Sequence, residues 1–142
     1  MILAVTASLT FYGQEKATWS VDDIFNGKVV PKREMKRTHV QGDRLAALRL
    51  IEFSSVQFSA NEQRLALISS IIVKTADMHN DKEIESEGNI LTYAFITLSP
   101  SEEGYNRYIG YSAKKKEKDY SITVLYFTGQ ASAEELKKKL AK

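Results

Sequence analysis

The sequence predicts an α+β domain in which an antiparallel sheet of about five strands is packed by one long central helix and a C-terminal helix. Serines followed by acidic residues mark three helix starts, and five segments have the alternating or β-branched composition of strands. The connectors between the last three strands are short and polar, which favours antiparallel neighbours because parallel strands need a long crossover. The predicted order is a short helix, two strands, a long helix, three strands and a closing helix.

Three serines are predicted to cap the helices, because a serine hydroxyl can accept a hydrogen bond from a free amide in the first turn. Ser20 precedes a short helix with acidic residues in its first turn. Ser59 and Glu62 have capping-box spacing before the long helix, and Ser132 and Glu135 repeat that spacing before the closing helix. The sequence therefore predicts one helix after each serine.

The long helix is also indicated by apolar residues at helical spacing, namely Leu65, Ile68, Ile72 and Ala76. The β-branched run Ile71–Val73 supports a strand as the alternative interpretation. The capping box favours the helix, which we expect to end near residues 77–81, where Asp, His and Asn accumulate. Further apolar residues at Leu67, Ile71 and Val73 predict that the helix is covered on more than one side.

The five strands are predicted by alternation and by β-branched or aromatic content, at residues 34–41, 47–58, 89–98, 106–113 and 119–128. The last three strands form a meander with polar connectors. In the final strand, both sets of alternating residues are partly apolar, which is typical of a strand at the centre of a sheet.

The first fourteen residues carry no charged side chain. Ile2–Phe11 has the length of the apolar core of a secretory signal, although a positive segment before it is missing. A start codon assigned too far downstream would remove that segment. We therefore expect residues 1–14 to be a signal-peptide remnant and residues 15–142 to be a single domain, located in the periplasm, on the cell surface or outside the cell. The alternative is a strand at "SLTFYG" in a cytoplasmic protein.

Composition excludes several classes of protein. The 20 basic and 18 acidic residues give a net charge of +2, too small to predict nucleic acid as a partner. The chain contains no cysteine, so disulfides, thiolate catalysis and cysteine-ligated metals are excluded. No later apolar run has the length of a membrane span, so we expect no transmembrane segment in the mature chain. The oligomeric state is left open.

No catalytic or cofactor motif is present. The sequence has no serine-nucleophile elbow, no glycine-rich phosphate loop and no zinc-protease motif. The two histidines, His39 and His79, lie in different elements without carboxylates at metal-binding spacing. The segment around His79 lacks the central glycine of a calcium loop. We therefore expect a protein that is not an enzyme and has no cofactor or metal.

One segment contains the residue types that interfaces favour. Tyr105, Arg107, Tyr108 and Tyr111 lie on a predicted strand and at its entrance, and tyrosine and arginine provide contact area together with a polar end. Alternation places Arg107, Ile109 and Tyr111 on one face and Tyr108 on the other. The four residues are candidates for binding a partner. The alternative is ordinary sheet packing with tyrosine hydroxyls at the surface.

A resemblance to a known group of proteins covers about residues 19–141 and is carried by four segments in this order: WSVDDIF, VQGDRLAALRL, NILTYAFITLSPSEEGYNRYIGY and YFTGQASAEELKKKLAK. In these segments the chain resembles a group of small exported proteins of unknown function from gut Bacteroidetes. The resemblance implies an exported α+β domain. It transfers no functional residue, because the matching motifs are structural.

These observations predict a non-catalytic, exported domain that binds a protein or glycan through the tyrosine-bearing sheet. Two alternatives remain. One is a small-ligand carrier or an enzyme with a pocket between the long helix and the sheet, and the other is an intracellular regulatory module. A polar group in a concave pocket would favour the carrier or enzyme, whereas a flat exposed patch of tyrosine and arginine would favour the interaction domain.

Overall fold

The computed structural model describes residues 19–140. The predicted leader, residues 1–14, lies outside the described residues. The described part contains three α-helices, α1 to α3, at Val21–Phe25, Glu62–Asp77 and Ala133–Leu140. Its six strands, β1 to β6, are Met35–Gln41, Leu50–Ala60, Lys82–Glu87, Ile90–Thr97, Asn106–Lys116 and Asp119–Gly129. Two 3-10 helices, Lys32–Glu34 and Gly42–Leu48, flank β1.

The strands form one sheet with the order β1-β2-β6-β5-β4-β3, in which all neighbours are antiparallel. The predicted α+β class is confirmed, together with the meander of the last three predicted strands and the central position of β6. Two details are wrong. The sheet has six strands rather than five, and β2 begins at Leu50 because the preceding residues form a 3-10 helix.

The strand that sequence analysis missed is β3, which forms one edge of the sheet. All six of its residues are exposed, and four of them are charged. It pairs with β4 through the backbone. A strand without a buried face leaves no apolar alternation in the sequence, so the pattern does not predict it.

The helix caps agree with the sequence in two of three places. Ser132 and Glu135 form the predicted capping box, with reciprocal hydrogen bonds of 2.9 and 3.1 Å. The backbone amide of Ser20 donates to the Asp23 carboxylate at the start of α1. The prediction for Ser59 is wrong, because β2 continues through this residue. The cap of α2 is Asn61, whose side-chain oxygen accepts from the amide of Arg64 at 2.8 Å.

Helix α2 packs against one face of the sheet. The four residues predicted to face the core are buried, as are Ile71 and Thr75, which confirms the helix over the alternative strand. The opposite side of the helix is open, since Val73 is 39% exposed. The helix is therefore central in the sequence but lies on one face of the sheet. The prediction that it is covered on more than one side holds only in part, since Ile71 is buried whereas Val73 is exposed.

A second, smaller core lies on the other face of the sheet. It joins the closing helix and the 3-10 helix Gly42–Leu48 to the strands. Its buried members are Leu45, Leu50, Phe95, Tyr108, Phe127, Ala131 and Leu136. The architecture is thus three layers, with helical structure on both faces of an antiparallel sheet. Within the described part of the chain, none of the helices has both the length and the apolar character needed to cross a membrane.

Candidate functional site

A cleft of about 760 Å³ opens on the face of the sheet that carries α2. Its floor consists of residues from β1, β2, β5 and β6. Helix α1 forms one wall, and Thr75 and Met78 at the end of α2 contribute to the lining. Leu98 closes the end of the cleft beyond β4. The cleft therefore lies where the sheet extends past the two helices that cover its remaining surface.

Strand register determines which side chains meet on the floor. His39 pairs with Ser54, Ser54 pairs with Tyr126, and Tyr126 pairs with Ile109, so these four residues form one row across β1, β2, β6 and β5. The adjacent row contains Glu52, Thr128 and Arg107. Alternate residues of a strand point to the same face, and both rows therefore face the α2 side.

His39 is the centre of a small polar cluster. Its Nδ1 lies 2.7 Å from the Ser54 hydroxyl oxygen, and its Nε2 lies 3.8 Å from a Glu52 carboxylate oxygen. The imidazole could accept a proton from the serine hydroxyl, as in hydrolases that use serine, histidine and an acid. However, β2 is paired on both sides, so the amides near Ser54 are committed to the ladder and cannot form an oxyanion hole. The cluster can orient a polar ligand.

Arg107 is the half-buried cation of the cleft. Its Nε donates to the backbone carbonyl of Ser99 at 2.7 Å. Within residues 19–139, no carboxylate lies at ion-pair distance from its guanidinium. Arg37, on β1, also lines the cleft and has no ion pair among the described side chains. The two guanidinium groups can receive an anionic group.

The structure separates the four residues that sequence analysis had grouped. Arg107 and Tyr111 share one face and Tyr108 the other, as alternation predicted. Tyr108 is 4% exposed and Tyr111 is 2% exposed, so the expectation of outward tyrosines is wrong for these two residues. Tyr105 is half-buried in the loop before β5. Whether any of the four binds a partner stays a prediction, and burial argues against Tyr108 and Tyr111.

The two buried tyrosines find partners inside the protein. The Tyr108 hydroxyl donates to the carbonyl of Ala131 at 2.9 Å, and the Tyr111 hydroxyl donates to the carbonyl of Leu91 at 3.3 Å. Burial raises the pKa of both phenols. Tyr108 and Tyr111 can be buried because a carbonyl oxygen inside the protein accepts a hydrogen bond from each hydroxyl. Strand alternation predicts the face that a side chain occupies, but it does not predict whether such a carbonyl is within reach.

The residues that sequence analysis did not associate are His39, Ser54 and Tyr126. They are distant in sequence, and the residues near His39 in the sequence show no metal-binding or catalytic spacing. The signal that could have found one pairing is the connection between β1 and β2. Paired residues of antiparallel strands lie equally far from the centre of their connection, and a centre at residues 46–47 pairs His39 with Ser54. The described residues contain no group of three or more metal-ligating side chains suited to a metal ion.

Comparison with known proteins places the chain in a family. Neither the curated proteins nor the solved structures include a match to the sequence. The family of unknown function DUF6108 matches residues 7–140, nearly the whole chain, and the protein therefore belongs to this family.

Proposed function

We propose that the protein is a non-catalytic binding domain and that it holds a small ligand in the cleft between the helices and the sheet. The observation that carries the proposal is the cleft itself. Its volume of about 760 Å³ lies in the range of roughly 300–1,000 Å³ that is typical of small-molecule sites. The cleft combines an apolar floor with convergent polar groups, which is the usual composition of such sites.

The lining supports binding of an amphipathic molecule. Phe25 contributes an aromatic side chain from α1, and Leu98 and Met78 contribute further apolar surface. Val56 and Ile109 lie beneath the floor and are only 1% and 3% exposed. Tyr126 and Ser54 add hydroxyl groups in the same row. The apolar part of such a ligand would be removed from water by contact with the floor of the cleft. The hydroxyl and guanidinium groups would fix the orientation of the ligand.

A protein or glycan partner is the second candidate. It is favoured by the position of Tyr105, which is half-buried in a surface loop two residues before Arg107. A stable protein interface needs about 800 Å² on each side. With Tyr108 and Tyr111 buried, the tyrosine contribution to such a surface is reduced, and the cleft is the better supported site.

Export is also part of the proposal. The uncharged first fourteen residues and the resemblance to exported Bacteroidetes proteins support a leader that is removed and a periplasmic, cell-surface or secreted domain. N-terminal sequencing of the protein from fractionated native cells tests this. A start near Glu15 outside the cytoplasm would support export, whereas Met1 retained in the cytoplasm would contradict it and favour an intracellular module.

The cleft is tested by filling it. Ser54→Trp places an indole on the floor of the cleft, and Gln57→Trp places the same group on the opposite face of β2, where Gln57 is exposed. A library of soluble fragments is screened against the ¹⁵N-labelled full chain by NMR. We expect fragments to shift amides around the cleft in the parent chain and in Gln57→Trp, and binding to disappear in Ser54→Trp. Fragments that bind only elsewhere, or equally to both variants, would refute the proposed site.

A further inference from the structure

We propose that the ligand of the cleft carries a carboxylate next to an apolar chain or ring, and that Arg107 binds this carboxylate. The inference rests on the proposed function and specifies its ligand class. It follows from the unusual state of Arg107, from the positions of the acids in the cleft and from the apolar floor beside the guanidinium.

Arg107 is oriented but not neutralised. The hydrogen bond from Nε to the Ser99 carbonyl fixes the plane of the guanidinium, and the two terminal amino groups have no carboxylate partner in the described part of the chain. Arg107 is half-buried, so its guanidinium has lost part of its hydration, and an anionic partner would offset that loss. A planar fork with two free amino groups matches a carboxylate through two parallel hydrogen bonds.

The acids of the cleft do not occupy this role. Glu52 lies beside His39, with 3.8 Å between the carboxylate and the imidazole nitrogen. In the register of the sheet, Thr128 stands between Glu52 and Arg107, so their Cα atoms are two strand spacings apart, roughly 10 Å. Asp22 is exposed on α1 at the wall of the cleft. Arg37 adds a second, exposed cation on β1, and Arg107 is therefore the half-buried charge of the cleft that lacks an ion pair among the described residues.

Thr128 occupies the same row of the sheet as Glu52 and Arg107. Its hydroxyl oxygen is buried and has no hydrogen-bond partner. Most buried hydroxyls in proteins are satisfied. The register places Thr128 between Glu52 and Arg107, but Thr128 does not line the cleft, so a ligand would reach this hydroxyl only after side chains moved.

The apolar floor begins next to the proposed carboxylate site. Ile109 follows Arg107 by two residues on the same face, which corresponds to roughly 7 Å along the strand. Val56 and Tyr126 extend the floor toward β2. A carboxylate attached to an apolar group through a short chain would therefore reach Arg107 and cover this floor at the same time.

Three matched probes test the head group. The molecules 4-phenylbutyrate, 4-phenylbutanol and 4-phenylbutylamine share one apolar body and carry a negative, neutral or positive head. Affinities for the ¹⁵N-labelled full chain are obtained by NMR titration, following amides of β2, β5 and β6. We expect the butyrate to bind at least about tenfold more tightly than the alcohol, because charge-assisted bidentate hydrogen bonds are strong. We expect the amine to bind most weakly.

Two variants identify the anchor. Arg107→Gln should remove the preference for butyrate and leave the affinity for the alcohol unchanged. Arg44→Gln removes an exposed arginine from the 3-10 helix outside the cleft, and should leave both affinities unchanged. If Arg107→Gln fails to fold, the order of the three probes on the parent chain still decides the head group, and Arg107→Lys tests the anchor.

The outcomes separate the two proposals. An amine or alcohol that binds in the cleft as tightly as the butyrate would overturn the carboxylate inference while leaving the cleft as a binding site. Retention of the butyrate preference in Arg107→Gln would exclude Arg107 as the anchor. Failure of all three probes to shift any amide around the cleft at millimolar concentration would count against the binding site itself, and therefore against both.

Discussion

The contact between the end of β6 and the start of β2 leaves room for glycine alone, and replacing Gly129 with alanine tests this reading of the fold. A Cβ atom at Gly129 would lie 2.5 Å from the carbonyl oxygen of Arg49 and 2.5 Å from the Cα of Leu50. Both contacts are with backbone, so no side-chain rotation relieves them. The same carbonyl accepts hydrogen bonds from the amides of Gln130 and Ala131 at 2.9 and 3.0 Å. In the Gly129→Ala variant, the added Cβ atom would therefore push β2 and β6 apart where the chain leaves β6 toward α3.

The expected loss of stability combines two contributions. Overpacking of this kind costs about 1–3 kcal/mol. Weakening two backbone hydrogen bonds adds about 1 kcal/mol or more. We therefore expect Gly129→Ala to lower the free energy of unfolding by about 3 kcal/mol. Gly110→Ala is the matched control, because its Cβ would meet only the Leu125 side chain at an ordinary 3.5 Å. That variant should be unchanged or more stable by up to about 1 kcal/mol.

Urea unfolding of the full chain measures both variants. Far-UV circular dichroism reports the sheet, and the fluorescence of Trp19, the single tryptophan, reports the core against which it packs. We expect a lower midpoint for Gly129→Ala with an unchanged dependence on urea. Equal stability of the two alanine variants would refute the argument, since the local geometry would then not distinguish the sites.

Four further substitutions test the caps and a buried hydroxyl. Asn61→Ala should lower the free energy of unfolding in urea by about 1 kcal/mol, because the Asn61 side chain caps α2. Ser59→Ala should lower it by less than about 0.5 kcal/mol, because Ser59 does not cap the helix. A larger loss for Ser59→Ala than for Asn61→Ala would restore Ser59 as the cap. Tyr111→Phe should cost about 1 kcal/mol by removing the hydrogen bonds of this hydroxyl with the Leu91 carbonyl and the Ser69 hydroxyl, and a neutral effect would contradict both. The Ser132 amide and the Arg49 guanidinium lower the pKa of the Glu135 carboxyl. The stability difference between the parent chain and Glu135→Gln should therefore be present at neutral pH and shrink as the pH falls below about 4.3; a difference that does not vary with pH would contradict this.

Local signals predicted much of the fold because they report burial directly. The alternation of β6 and the helical spacing of Leu65, Ile68 and Ile72 follow from the faces that these elements bury. The capping box at Ser132 depends only on residues within one turn. Each of these features is complete within a short segment, so sequence is sufficient to identify it.

The failures concern features that depend on distant parts of the chain. Strand β3 forms because β4 offers a free edge, and its own residues bury nothing. Ser59 has the spacing of a cap, but the neighbouring Phe58 and Ala60 are buried in the sheet and hold this segment in β2. Tertiary burial therefore overrides the local preference of this serine.

The candidate site could not be predicted because it is produced by register. His39 and Ile109 lie in one row although 70 positions separate them, and Tyr126 joins them from a third segment. A shift of one residue in any strand would turn that strand's contribution to the other face. Alternation correctly predicted the face of the sheet on which Arg107 lies. It could not predict that the cleft stays open there, because that depends on the positions of α1 and α2 over the sheet.

The two faces of the sheet differ in a way that favours the cleft as the place where a ligand binds. On the face of α3, the hydroxyl of Tyr108 is satisfied by the carbonyl of Ala131, and Phe95 and Phe127 pack with their ring centroids 6.4 Å apart. On the face of α2, Arg107 lacks an anionic partner, and Met78 leaves 65% of its surface in water. Methionine is flexible and adapts to apolar surfaces of different shapes. An apolar ligand with a carboxylate would cover this side chain and neutralise the guanidinium at once.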